Sequence, residues 1–413
     1  MSKRVFRRFV VLSLAILALG SATGLFAEEG PVLAPADITA ALVVDFKQGS
    51  NNNSPNPPGD ILWIGSILQA TNSVHYEGMS TLQRVLFLNI PATAGNVHSL
   101  LLKHQANKST SHAYDFITSW PQALTAGLQI GGPTMYVALN QCGPNIGPPG
   151  NLGAICDALH SGGNTITAAA PDAMGTLLGD DVAASAAAYE ASLGNRTVKI
   201  YGNAAVTAAS MSFDGYSGSG DMYADYTLTW TSSSGQICIE LAGHLAGGAD
   251  PTGQIGVGYG EGKGSSSISG GPYHFKMETL DGASLGSQDN QIKGADILQP
   301  PPVCNVTPSS IEICAGGSAT FTENTTGGTP PYTYCWTKSA PSGTCLSTTN
   351  TLTISNALVS NAGTYYMVVT DANTLKDTCQ ADLIVNPKPT CSVTPARAER
   401  CADGPGVEFC VTP

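Results

Sequence analysis

The chain has 413 residues, room for two or three domains, and only 12% of them are charged. Its 47 glycines and 26 prolines suit turn-rich β domains better than helical bundles. The formal net charge of −12 disfavours nucleic acid and anionic lipid surfaces as partners.

The N-terminus sets the compartment. Lys3, Arg4, Arg7 and Arg8 precede the apolar run "FVVLSLAILALGSATGLFA", the layout of a secretory signal peptide over 1–27, cut after Ala27 or, as a second candidate, near Gly20–Ala22. The run is nearly long enough to be an uncleaved membrane anchor, and no other segment could span. Cleavage leaves 14 basic against 30 acidic residues, a net −16, and a mature chain without a membrane span. The expected location is secreted or at the cell surface.

Residues 31–298 read as a large β-rich, sandwich-like module. "LQRVLFLNIPA", "SLLLKHQA", "RTVKIYG", "ADYTLTWTSS" and "GQICIELAGHLA" have strand character, with glycine-rich loops between them. One Ala-rich segment, 171–194, is the single helix expected, opening at Pro171 and ending at Gly194. Cys142 and Cys156 flank a Gly/Pro-rich loop and are expected to pair. Cys238 reads as a buried free thiol behaving as a small hydrophobe.

The proline run at 299–302 is a stiff linker. Residues 303–388 then parse into short alternating strands, with Ala319 and Phe321, Tyr334 and Trp336, Leu352 and Ile354, Tyr365, Met367 and Val369, and Ala381, Leu383 and Val385 on inner faces. Seven strands around a central tryptophan, and "NAGTYY" in place of a D-x-G-x-Y corner, resemble an immunoglobulin-like sandwich. Phe321, Trp336, Tyr365 and Met367 are its expected core. The resemblance implies that the Tyr365 hydroxyl bonds back to the preceding loop. The family's inter-sheet disulfide is absent, and Met367 fills that volume instead.

Eight of the 11 cysteines lie after residue 300: Cys304, Cys314, Cys335, Cys345, Cys379, Cys391, Cys401 and Cys410. In an oxidising compartment they read as a disulfide framework. Zinc competes poorly there, since no C-x-x-C and no histidine after 274 exists. Cys335 should face outward with Cys345 across a hairpin, and Cys304 could meet Cys379. Five cysteines in one repeat cannot all pair internally, and connectivity does not follow from sequence. C-x-V-T-P recurs 87 residues on, from Cys304 to Cys391, so 389–413 is expected to open a second repeat of a longer protein.

Several landmarks in the larger module carry a second resemblance: "NSVHYEG", "SHAYDF", "VKIYGNAAVTAAS", "IELAGHLA", "ISGGPYHFKMETLDG" and "GSQDNQIKGADI". Together they resemble a β-rich module near the N-termini of large secreted or surface proteins of bacteria, ahead of arrays of Ig-like (immunoglobulin- or PKD-type) repeats. Inserts at 141–195 and "LAGH", where Gly-Gly-His would be closer, depart from it. The resemblance implies surface display rather than a reaction.

Within these landmarks His112, Asp115, His244 and His274 form a candidate zinc set, since neutral imidazoles with a carboxylate suit such an ion. The competing reading has histidines at strand ends bonding glycine-rich loops, with Tyr114 and Tyr273 as packing anchors. His75, His98, His104 and His160 fit no constellation. Calcium could use Asp214 and Asp221, or Asp281, Asp289 and Asn290, but neither loop has D-x-D-x-D-G spacing. There is no G-x-S-x-G, H-E-x-x-H or phosphate-binding loop. Any two carboxylates could still meet in space as a glycosidase pair.

The expectation is a non-enzymatic exported protein, displaying a β module on Ig-like spacers for adhesion or ligand binding. Partners would be an extracellular glycan, a matrix polymer or a cell-surface protein, with no cofactor beyond a candidate calcium or zinc ion. A carbohydrate-binding module or glycan-active enzyme would need exposed aromatics such as Trp63, Trp120 or Trp230 along a groove. A structural coat protein would self-associate instead.

Overall fold

A computed structural model describes residues 41–413 except 55, 133–134, 137–139, 144, 147–151, 249–257, 261, 389, 391, 395–409 and 413. The expected signal peptide over 1–27, Cys391 and Cys401 therefore lie outside the described residues. Among the described residues no helix is long and apolar enough to cross a membrane.

In chain order the larger region contributes β1 (Val43–Ser50), β2 (Leu62–Ile64), β3 (Ser80–Leu88), β4 (Val97–Gln105) and β5 (Tyr114–Thr118). Helix α1 (Trp120–Gly131), helix α2 (Gly153–Ser161), β6 (Thr165–Ala169), helix α3 (Val182–Leu193) and β7 (Thr197–Gly202) follow. Then come β8 (Val206–Ser219), β9 (Asp221–Ser232), β10 (Gln236–Leu245), β11 (Tyr273–Leu280) and β12 (Ala283–Ile292). The chain is mostly β, as expected.

Two sheets form from these strands. The first runs β6–β7–β10–β3–β1–β2 and is extended by a parallel pairing of β2 with Asn145–Ile146, while β5 also pairs β10. The second runs β8–β9–β4–β11–β12, antiparallel throughout. Their inner faces share one apolar core, with Phe46 of β1 and Phe275 of β11 at 6.3 Å between ring centroids. Burial in β9 alternates along most of the strand, so one face meets the core and the other is more open. Burial in β3 and β10 is nearly continuous, so the first sheet is covered on both faces.

The second cover is helical, which corrects the expectation of one helix. Helix α1 carries its own start signal: Ser119 accepts from the Gln122 N–H, Gln122 reaches back to Ser119, and Pro121 sits in the first turn. The Trp120 indole N–H donates to the carbonyls of Gln83 and Leu241, fastening the helix to β3 and β10. Helix α3 ends at Gly194 as expected but starts at Val182 with Asp181 as its cap, not at Pro171.

The region after residue 300 has its own core. Strands β13 (Val306–Thr307), β14 (Ser310–Cys314), β15 (Ala319–Glu323), β16 (Thr333–Lys338), β17 (Thr351–Ile354), β18 (Gly363–Thr370) and β19 (Lys376–Asn386) form sheets β13–β15–β17 and β14–β19–β18–β16. The parallel pairing of β14 with β19, and two sheets closing on Phe321, Trp336, Tyr365 and Met367, make this an Ig-like sandwich. The Tyr365 hydroxyl donates to the Asn361 carbonyl at 2.8 Å, the corner bond that the resemblance implied. Met367 is fully buried opposite Trp336.

Candidate functional site

Strand register assembles a row of charge on the helical side of the first sheet. Lys199 on β7 stands opposite Glu240 on β10, Glu240 opposite Arg84 on β3, and Arg84 opposite Lys47 on β1. Two residues along the same face, Tyr201, Cys238, Leu86 and Asp45 make the next row. Arg84 is wholly buried. Its guanidinium donates to the Gln141 carbonyl at 3.0 Å, lies 3.5 Å from Asp45, and sits 4.7 Å above the Trp63 ring, which in turn stacks on Trp120 at 4.9 Å. Burial pushes the Asp45 carboxyl above its ordinary range even though Arg84 and Lys47 pull it down.

Helix α2 roofs this surface. Cys156 and His160 are four residues apart and so lie on one side of the helix. Cys156 is disulfide-bonded to Cys142. The His160 Nδ1 stands 3.2 Å from the Cys142 Sγ, 3.5 Å from the Cys156 Sγ and 2.8 Å from the Cys156 carbonyl. Its Nε2 lies 2.6 Å from the Glu240 Oε1, and the other Glu240 oxygen accepts from the Tyr201 hydroxyl at 3.0 Å. Burial works against a charged His160 ring. The Glu240 hydrogen bond, the Cys156 carbonyl and the Glu240 charge outweigh it, and the ring titrates above its ordinary value. Burial, with Glu240 adding to it, holds the Cys238 thiol protonated.

Beside this cluster a cavity of about 330 Å³ opens between the start of α1 and the strands β6, β7 and β10. Trp120, Leu124 and Tyr201 give it apolar and aromatic wall, while Thr167, Thr197, Lys199 and Glu240 give it hydroxyls and one charge of each sign. Such a surface can hold a small polar molecule by stacking and hydrogen bonds. Among the described residues lining this wall Glu240 is the one carboxylate.

The candidate zinc set does not come together. Asp115 and His244 meet, with Oδ1 2.6 Å from Nδ1, and the His244 ring stacks on Phe116. His112 pairs instead with Asp180, which also binds Lys263, and its ring stacks on Tyr259 at 3.9 Å. The Tyr259 hydroxyl donates to Asp115, so His112 joins the pair only through that ring. His274 is taken by Asp289 on the neighbouring strand. Each of these histidines faces a carboxylate of its own. Among the described residues the one group of three metal-capable side chains is Cys142, Cys156 and His160, so His160 does belong to a constellation. The Cys156–His160 spacing on a helix was the signal available in the sequence.

The calcium loops do not gather either. Asp214 accepts from Ser212 and Thr227, Asp221 from the Ser109 N–H, Asp281 lies against His98, and Asn290 donates to Gln83. Trp63, Trp120 and Trp230 are all buried, so they form no exposed aromatic platform, although Trp120 edges the cavity. Cys304 is bonded to Cys379 and Cys335 to Cys345, whereas Cys314 is a free, exposed thiol rather than part of the framework. Its strand β14 pairs along β19, which places Asn386 opposite it and no cysteine. Cys238 is free and buried.

No family model matches the chain, and no curated protein does. Solved structures aligned with it include the N-terminal four Ig domains of Dscam1 isoform 8.4, at 20% identity and a TM-score of 0.20 over 28% of this chain and 27% of that one. Those of isoform 1.9 align at 14% identity and a TM-score of 0.20 over 44% and 42%. The chain thus spans less than half the length of these structures, and its Ig-like character rests on strand topology and the tyrosine corner.

Proposed function

We propose that the chain is an exported surface protein that carries a β-rich binding module, residues 31–298, on an Ig-like spacer, residues 303–388. The module takes a hydroxyl-bearing ligand, a saccharide unit of an extracellular glycan, in the cavity beside Lys199 and Glu240. That cavity carries the reading. It is the size of a small ligand pocket, and the edges of Trp120 and Tyr201 border it beside hydroxyl and charged groups, which can hydrogen-bond a sugar's hydroxyls. Export is supported by three disulfides among the described residues and by the basic-then-apolar N-terminus. The role is binding, with no reaction assigned.

The test is a saccharide array probed with the secreted chain, followed by calorimetry on the hits. Thr167→Trp, which fills the cavity from the exposed β6 side, should abolish binding while the melting temperature holds. Binding that survives Thr167→Trp and Lys199→Glu would move the site elsewhere, and silence across the array would end the saccharide reading.

A further inference from the structure

The Cys142–Cys156 pair differs chemically from the other two disulfides among the described residues. No histidine follows residue 274, so neither Cys304–Cys379 nor Cys335–Cys345 has an imidazole from its own region, whereas here one nitrogen faces both sulfurs at 3.2 and 3.5 Å. A staple alone has no need of that nitrogen, nor of a carboxylate bracing the ring from the far side.

From this geometry we propose that Cys142, Cys156 and His160, once the disulfide is reduced, form a binding site for Zn²⁺ or a similar divalent transition ion. In a tetrahedral site with ordinary bond lengths, sulfur and nitrogen ligands stand about 3.6 Å apart and two sulfurs about 3.8 Å. The two nitrogen–sulfur distances already approach that value. Only the sulfurs must part, and rotation about two side chains accomplishes it. The Nδ1 exchanges its contact with the Cys156 carbonyl for the ion. Nε2–H then donates to Glu240, the arrangement in which a carboxylate fixes the tautomer and orientation of a metal-binding histidine. Tyr201 in turn holds Glu240. Among the described residues these three side chains are the ones within the same reach.

A dithiol or phosphine reductant delivers two electrons, the S–S bond breaks, and two protons complete the thiols as the reductant is oxidised. The incoming ion then displaces both thiol protons, and two thiolates neutralise its two charges. Arg84, whose Nη1 lies 4.0 Å from the Cys156 Sγ, favours the thiolate form. Glu240 and Tyr201 belong both to this site and to the wall of the neighbouring cavity.

The test uses the full chain, reduced with a phosphine, and Co²⁺ as an optical probe. Reduced protein should take up one equivalent with thiolate-to-cobalt absorption and tetrahedral d–d bands, and Zn²⁺ should displace it. Oxidised protein should show neither band. Cys142→Ser with Cys156→Ser should remove both. Glu240→Gln, which leaves every ligand in place, should weaken affinity about 10- to 100-fold. The proposal fails if reduced wild-type protein shows no thiolate band. It fails equally if the band persists in the double serine variant, or if Glu240→Gln and His160→Gln bind Co²⁺ as wild type does.

Discussion

Glu240 accepts from Tyr201 through one carboxylate oxygen and meets His160 through the other, so a side chain from a central strand is held by the neighbouring strand on one side and by the covering helix on the other. The contact ties residues 80 positions apart and depends on register, because Glu240 reaches the helical face only while it stands opposite Arg84 and Lys199. A slip of one residue would turn it into the apolar core.

Acid should weaken the fold through two other histidines. His75 and His104 are fully enclosed, and burial depresses both to about 4 from the ordinary 6.5. Their folded values lie below the unfolded one, so their contribution is complete above pH 6.5 and drains away as pH falls toward 4. Each site represents on the order of 3 kcal/mol. Urea melts across that range should show falling stability, and His104→Gln should flatten the slope. An unchanged slope would mean the ring is not held neutral.

The tyrosine corner can be tested by a single oxygen. Tyr365→Phe keeps the ring in the Ig-like core and removes its bond to Asn361. The sandwich should lose about 1 kcal/mol, seen as a lower urea midpoint with an unchanged slope.

The two sandwich disulfides should differ in worth. Cys304–Cys379 spans 75 residues and Cys335–Cys345 spans 10. Chain-entropy arguments give about 4 kcal/mol for the first and about 3 for the second. Paired alanine variants should therefore fall in that order in thermal melts. The reverse order would point to native packing around Cys335 rather than to loop closure.

Thiol labelling should separate Cys314 from Cys238. Cys314 is exposed and should react with a maleimide in the folded protein, whereas buried Cys238 should react only after unfolding. Peptide mapping of the modified cysteines reads the result directly.

Much of the Ig-like unit was legible because its strands are short and face water on one side. Phe321, Trp336, Tyr365 and Met367 could be placed by period-two alternation alone. The larger module was legible as strands but not as layers. In β3 and β10 both faces are buried, so alternation is lost, and Arg84 and Glu240 read as ordinary solvent charges. The site joins β3, the residues around Cys142, α2 and β10, and only the sheet register brings these together. Ser119, Pro121 and Gln122 spell the start of helix α1, but Gly127 and Gly131 within it weaken the helical signal. His112 and His274 pointed toward an ion for want of any sign in the sequence that Asp180 and Asp289 would claim them.

The link between Cys304 and Cys379 also decides how the sandwich answers a pull on its ends. It joins the residue just ahead of the first strand to the middle of the last one. Tension entering at 303 and leaving at 388 passes through the sulfurs and bypasses most of the strands. With the link intact, only residues 380–388 can be drawn out, about 30 Å of chain; without it, the whole sandwich could lengthen by about 300 Å. Oxidation thus converts an extensible spring into a nearly fixed tether.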